Sequence, residues 1–180
     1  MLDKKHTLSP ITISLHWILA ISIISMLVFG LYIDQLDNTP RKSQLIDFHK
    51  LIGFAVFLLA FTRIAWRGMN GFPEPIDKLK KWEVSLARKI HWLLLLSTIL
   101  MPVSGIMISL GLGYSVPVFG ITEIGPLSER NELVSSTGYL IHVNLAYILI
   151  GLIIVHVSGA MKHHWIDKGH TLDRMLARRS

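Results

Sequence analysis

The chain has 180 residues, 51% apolar and 17% charged, with 18 Lys and Arg against 12 Asp and Glu for a formal net charge of +6. So apolar a balance does not suit a water-soluble domain of this length and places the chain among small integral membrane proteins. It holds no cysteine, which excludes disulfides and iron–sulfur clusters.

Taken in chain order, four nearly uninterrupted apolar stretches run over residues 11–33, 45–66, 90–112 and 133–161. Each is long enough to cross a hydrocarbon core of about 30 Å as a helix, and too long for barrel strands of about 9–11 residues. The first follows Lys4 and Lys5 like a signal peptide. It exceeds an h-region of about 7–15 residues, contains His16 and shows no small-residue cleavage site before Asp34, so it is expected to be retained. Connections 34–44 and 113–132 lie on one side. Connection 67–89, opening on the breaker-rich G-M-N-G-F-P-E-P, lies on the other. The polar tail 162–180 is expected to carry a short interfacial helix at 167–178. No repeat or low-complexity segment occurs, and the expected fold is an all-α transmembrane four-helix bundle forming one domain over residues 1–180.

Charge orients it. With the N-terminus in the cytoplasm, Lys4, Lys5, Arg63, Arg67, Lys78, Lys80, Lys81, Arg88, Lys89, Lys162, Lys168, Arg174, Arg178 and Arg179 fall on the inner side, leaving Arg41, Lys42, Lys50 and Arg130 outside. That asymmetry predicts both termini in the cytoplasm under the positive-inside rule. Trp17, Trp66, Trp82, Trp92 and Trp165 fall near the same inner boundary, as interfacial anchors do. The positive charge is then a topology signal. A nucleic-acid partner is not expected, because the basic residues flank the spans and do not gather in one domain.

Five histidines lie in the spans: His16, His49, His91, His142 and His156. His142 and His156 are fourteen residues apart on the last span. At about 100° per residue that interval closes four turns to within about 40°, so both face one way, roughly 21 Å apart along the axis. His16 enters from the inner face and matches the depth of His156, while His49 enters from the outer face and matches His142. An imidazole in hydrocarbon marks function by default. Four at two matched depths predict two haems stacked across the bilayer, each held by two histidines. Without cysteine the haem must be non-covalent and held by His, or by Met. Bis-His ligation leaves no open position for oxygen and suits electron transfer.

Glycines fall in the same register. Gly30 follows His16 by fourteen residues and Gly105 follows His91 by fourteen, while Gly53 and Gly138 lie one turn from His49 and His142. Each offers a side-chain-free notch for a porphyrin or a close contact between helices. Arg63, fourteen residues after His49, is placed to pair with a haem propionate or to snorkel to the interface. His91 opens the third span, where it can compete with His16 as a ligand, serve a quinone or cap an interface. His163, His164 and His170 follow the last span in a basic tail.

The motifs I-S-L-H-W around His16, F-H-K-L-I-G around His49, R-I-A-W-R ending the second span, K-I-H-W around His91, I-H-V-N-L-A-Y around His142 and V-H-V-S-G-A-M-K-H-H-W around His156 together resemble the bacterial cytochrome b561 family over nearly the whole chain. The resemblance implies four helices holding two b-type haems, with His16, His49, His142 and His156 as iron ligands. It also implies an inner-membrane superoxide oxidase that takes electrons from periplasmic superoxide and passes them through both haems to ubiquinone. His163, with Lys78 or Lys80, is implied as a quinone neighbour, a role that the position of His91 also allows. Arg41, Lys42 and Lys50 form a positive patch near His49, although acidic residues leave the outer segments slightly negative overall. A second expectation is a cytochrome b subunit that exchanges electrons between quinone and a periplasmic redox partner such as a dehydrogenase or hydrogenase; no long tail or extra span serves such docking. A histidine-based transporter fits less well, because four short spans leave little room for alternating access.

Overall fold

The structure is a computed structural model, described over residues 7–71, 73, 79–119 and 121–177. Its elements are α1 (Pro10–Asp34), α2 (Pro40–Asn70), α3 (Lys81–Gly111), a hairpin of β1 (Val116–Val118) and β2 (Thr122–Ile124), α4 (Glu132–Met161), a π turn over Lys162–Ile166 and α5 (Thr171–Met175). Among the described residues four helices are long and apolar enough to cross a membrane.

The helices outrun the apolar stretches because their stop and start signals lie in the polar flanks. The Ser9 hydroxyl accepts the Thr12 N–H at 3.2 Å, and Pro10 then begins α1 where its missing N–H costs nothing. Thr39 and Pro40 repeat the device for α2, and the Asn131 side chain accepts Val134 N–H at 3.1 Å to start α4. Glu83 reaches back to accept the Lys80 N–H at 2.9 Å and begins α3 inside the expected connection. Residues 67–70 and 81–89, expected in the connection 67–89, are therefore helical. The expected tail helix is confined to Thr171–Met175.

The core is a stack of Leu19, Ile23 and Leu27 from α1, Val56 and Ala60 from α2, and Leu149 from α4. Outward-facing Ile21, Val28, Phe61, Leu96, Tyr139 and Ile154 are exposed. An apolar exterior of this extent is stable against lipid tails and not against water. Helices α3 and α4 touch through small residues: a Cβ on Gly138 would meet Ile108 N and Ser104 O at 2.9 Å. Gly138 is thus a close helix contact, which settles one of the two uses its position allowed.

The hairpin pairs Val116 with Ile124 and Val118 with Thr122, antiparallel. It folds over the end of the bundle that holds the α1–α2 turn, where Phe119 meets Phe54 with ring centres 5.8 Å apart. At the other end the tail turns back, and Trp17 Nε1 donates to Met175 O at 2.9 Å. The start of α1 and the end of the described chain therefore share one end of the bundle.

Candidate functional site

The inward histidines fall into two pairs, one near each end. His16 of α1 and His156 of α4 have ring centres 6.2 Å apart with planes at 63°. His49 of α2 and His142 of α4 have ring centres 6.3 Å apart with planes at 74°. An imidazole nitrogen lies about 1.1 Å from its ring centre and bonds a first-row metal at about 2.0 Å, so two rings facing across one iron have centres about 6 Å apart. Both pairs meet that requirement. His91 lies against the same His156 ring at 5.2 Å, closer than a shared iron allows. Among the described residues no group of three or more His, Cys, Asp or Glu is arranged to hold a metal ion. Two axial nitrogens suffice when a porphyrin supplies the other four, so the donor sets fit haem and do not fit a bare ion.

The surroundings of His142 strengthen that fit. Its Nδ1 lies 3.0 Å from Met101 O and 2.9 Å from Ser104 Oγ. A carbonyl only accepts, so the network assigns the proton to Nδ1 and leaves Nε2 with a free lone pair. This is the tautomer in which a backbone carbonyl orients a metal-ligating imidazole. Ser104 Oγ in turn donates to Met101 O at 2.7 Å, and Pro102 interrupts α3 beside that carbonyl. His49 Nδ1 is buried with no hydrogen-bond partner, a polar atom orphaned in an apolar wall.

Arg63 does more than its expected role requires. Its Nη2 lies 3.0 Å from His16 Nδ1, and its Nη1 donates to Leu15 O at 3.2 Å. Arginine only donates, so His16 Nδ1 is the acceptor here. Trp66 Nε1, one turn along, donates to Thr12 Oγ1 at 2.8 Å and ties the end of α2 to the start of α1.

Three of the glycines lie beside the rings or the cavity between them. A Cβ on Gly30 would approach His49 Cε1 at 3.4 Å, and one on Gly105 would approach His142 Cε1 at 3.3 Å. The rings thus lie over bare backbone on α1 and α3. Gly53 faces the Met26 methyl at 3.7 Å and lines, with His49, His142, Met101 and Pro102, a cavity of about 50 Å³.

Beyond α4 the π turn gathers a polar cluster. His163 Nδ1 lies 2.6 Å from Asp167 Oδ2, and Lys162 Nζ bonds Asp167 Oδ2 at 2.7 Å and Glu83 Oε1 of α3. Lys80 precedes α3 at this same end, whereas Lys78 lies outside the described residues. His164 Nδ1 is buried without a hydrogen-bond partner, and His170 Nδ1 is 3.5 Å from Asp173. At the opposite end two of the three cations near His49 are engaged: Lys42 Nζ donates to Leu36 O at 2.8 Å, while Lys50 pairs with Asp47 at 3.0 Å and lies 5.4 Å from the centre of the Tyr114 ring.

Membrane-length helices enclosing paired imidazoles are the architecture of membrane b-type cytochromes. Residues 7–178 match the family described as prokaryotic cytochrome b561. Cytochrome b561 homolog 2 of Escherichia coli (strain K12) is 31% identical, with 94% of this chain and 91% of the relative covered. The probable superoxide oxidase CybB of Yersinia pestis is 29% identical with 99% of each chain covered, and cytochrome b561 homolog 1 of Escherichia coli (strain K12) is 27% identical over 95% and 97%. The chain belongs to the prokaryotic cytochrome b561 family, whose members are redox-active membrane proteins that bind haem b.

Proposed function

We propose that the protein is a di-haem b cytochrome of the bacterial inner membrane that oxidises superoxide at the periplasmic face and reduces ubiquinone at the cytoplasmic face. The observation that carries this reading is one geometry built twice, with ring pairs at 6.2 and 6.3 Å that both draw one imidazole from α4. His16 and His156 would hold one haem and His49 and His142 the other. Gly30, Gly53 and Gly105 keep backbone clear beside the rings, and Arg63 is within reach of a carboxylate at the His16 level. Bound there, haem supplies reversible one-electron carriage with no open coordination position.

The chain's own groups do the rest. Superoxide needs only to approach a haem edge, and Arg41 and Lys42 at that end offer the anion positive charge, Lys50 being paired with Asp47. His163 and Lys80 stand at the end where ubiquinone would be reduced, with Lys78 and His91 as expected neighbours. The net change is two superoxide and one ubiquinone with two protons giving two dioxygen and one ubiquinol. The name of the Yersinia pestis relative supports the substrate.

The test is purified protein carrying two low-spin haems, mixed with enzymatically generated superoxide and a soluble ubiquinone. Haem reduction without partner proteins, with two dioxygen released per ubiquinol, is the expected result. Haems inert to superoxide but reduced by a periplasmic dehydrogenase or hydrogenase would replace this reading with that of an electron-transfer subunit.

A further inference from the structure

The polar cluster after α4 has more order than a solvated tail requires. Asp167 is held from three directions: its N–H donates to Lys162 O at 3.2 Å across the π turn, its Oδ2 accepts from Lys162 Nζ at 2.7 Å, and the same oxygen meets His163 Nδ1 at 2.6 Å. Lys162 is itself tied to Glu83, whose side chain is only 8% exposed and which also accepts the Lys80 N–H. A chain of contacts therefore runs from the wall of α3 through Lys162 and Asp167 to His163. π turns inside helices recur at functional sites, and this one falls where α4 ends.

We propose that Asp167 is a positioning residue for proton delivery to the quinone: it keeps a proton on His163 Nδ1 and directs Nε2 away from the cluster. The proposal rests on the reading that ubiquinone is reduced beside His163. In each of the two proton transfers that make a quinol, the Nε2–H bond of protonated His163 breaks and an O–H bond forms on a quinone oxygen. The electrons come from superoxide, and water returns a proton to Nε2. Among the described residues Asp167 bonds His163 directly, Lys162 shares the same Asp167 oxygen and Glu83 of α3 lies within electrostatic range. Asp167 lies below the usual carboxylate range because Lys162 and then His163 donate to it, so it stays an acceptor at neutral pH. The arrangement follows the rule that a carboxylate fixes the tautomer and orientation of a working imidazole.

The experiment uses the full-length, haem-loaded protein in detergent with a soluble ubiquinone. Asp167→Asn is expected to lower kcat for quinone reduction about tenfold and to enlarge its solvent deuterium isotope effect. KM, haem content and superoxide-driven haem reduction should stay unchanged. Asp167→Glu is expected to recover kcat to within about threefold of the parent. An Asp167→Asn protein with the parent's kcat and isotope effect, or no recovery with glutamate, overturns the proposal. If Asp167→Asn fails to assemble, Asp167→Ser serves instead: it removes the carboxylate that faces His163 Nδ1 and keeps the tie between Lys162 and Glu83. A fall in kcat with normal haem content supports the proposal, and an unchanged kcat overturns it. Should His163→Ala reduce quinone like the parent, the quinone site itself is misplaced, a failure distinct from a silent Asp167.

Discussion

At the scale of single residues, the ring separations divide the histidines into those that would bear iron and one that would not. Replacing His142 or His49 with alanine is expected to lower haem from two per chain to about one, and His16→Ala or His156→Ala to remove the other. His91→Ala should keep both, because its ring stands closer to His156 than an intervening iron permits. Haem-to-protein ratios by pyridine haemochrome check this, and two haems retained in His142→Ala would refute the pairing. Arg63 poses a second test. Coordination through His16 Nε2 puts a proton on Nδ1, facing the guanidinium donors that now approach it. The guanidinium must then turn, and a haem carboxylate is the acceptor that would receive it. A charge-assisted hydrogen bond is worth about 1.5–3 kcal/mol, so Arg63→Leu should weaken haem retention at that level about tenfold or more in haemin titrations. The fourteen-residue interval on α4 was readable because helix geometry alone fixes it. The Met101 and Ser104 contacts to His142 were not, since a carbonyl looks the same at every position and only the approach of α3 to α4 selects one. The His163–Asp167 contact sits at an i,i+4 spacing that was legible and unused.

At the scale of elements, the closest seam is the one between α3 and α4. A side chain at Gly138 would collide with backbone atoms of α3 at 2.9 Å, which cannot rotate away. Gly138→Leu is therefore expected to cost more than the about 1–3 kcal/mol of ordinary overpacking, read as lowered thermal stability in detergent. Gly30→Leu should act differently, crowding His49 and altering the visible spectrum of one haem more than the stability of the bundle. The tail offers a test by pH. The Asp167 carboxyl lies below its ordinary value of 3.8, chiefly through the Lys162 hydrogen bond. A depressed folded-state value stabilises above the unfolded one and is lost as pH falls through the folded one. The difference in thermal stability between the parent and Asp167→Asn should persist from pH 7 to 5, begin to shrink near the ordinary value of 3.8 and be lost only as pH falls through the lower folded-state value. Hydropathy located the four spans but placed several ends inside the true ones, because caps such as Ser9, Thr39 and Glu83 lie in polar sequence. The hairpin went unseen: two strands of three residues leave too few alternations to rise above a loop pattern.

At the scale of the whole molecule, the two histidine levels are separated by an apolar layer. Leu19, Ile23 and Leu27 lie between His16 and Gly30, Val56 and Ala60 between His49 and Arg63, and Leu149 midway between His142 and His156. On α4 the levels are about 21 Å apart along the axis. If His163 marks the quinone end, the His16–His156 level adjoins it, and the His49–His142 level adjoins the face that meets superoxide. His156→Ala should then leave a protein whose remaining haem is still reduced by superoxide while ubiquinone reduction falls to background. His142→Ala should lose both rapid haem reduction by superoxide and quinone turnover, yet its remaining haem should still be oxidised by added ubiquinone after chemical reduction. Stopped-flow spectra of the two variants separate these behaviours. Quinone turnover that survives in His156→Ala would mean that ubiquinone draws its electron from the other level, reversing the assigned ends and with them the direction of flow through the bundle.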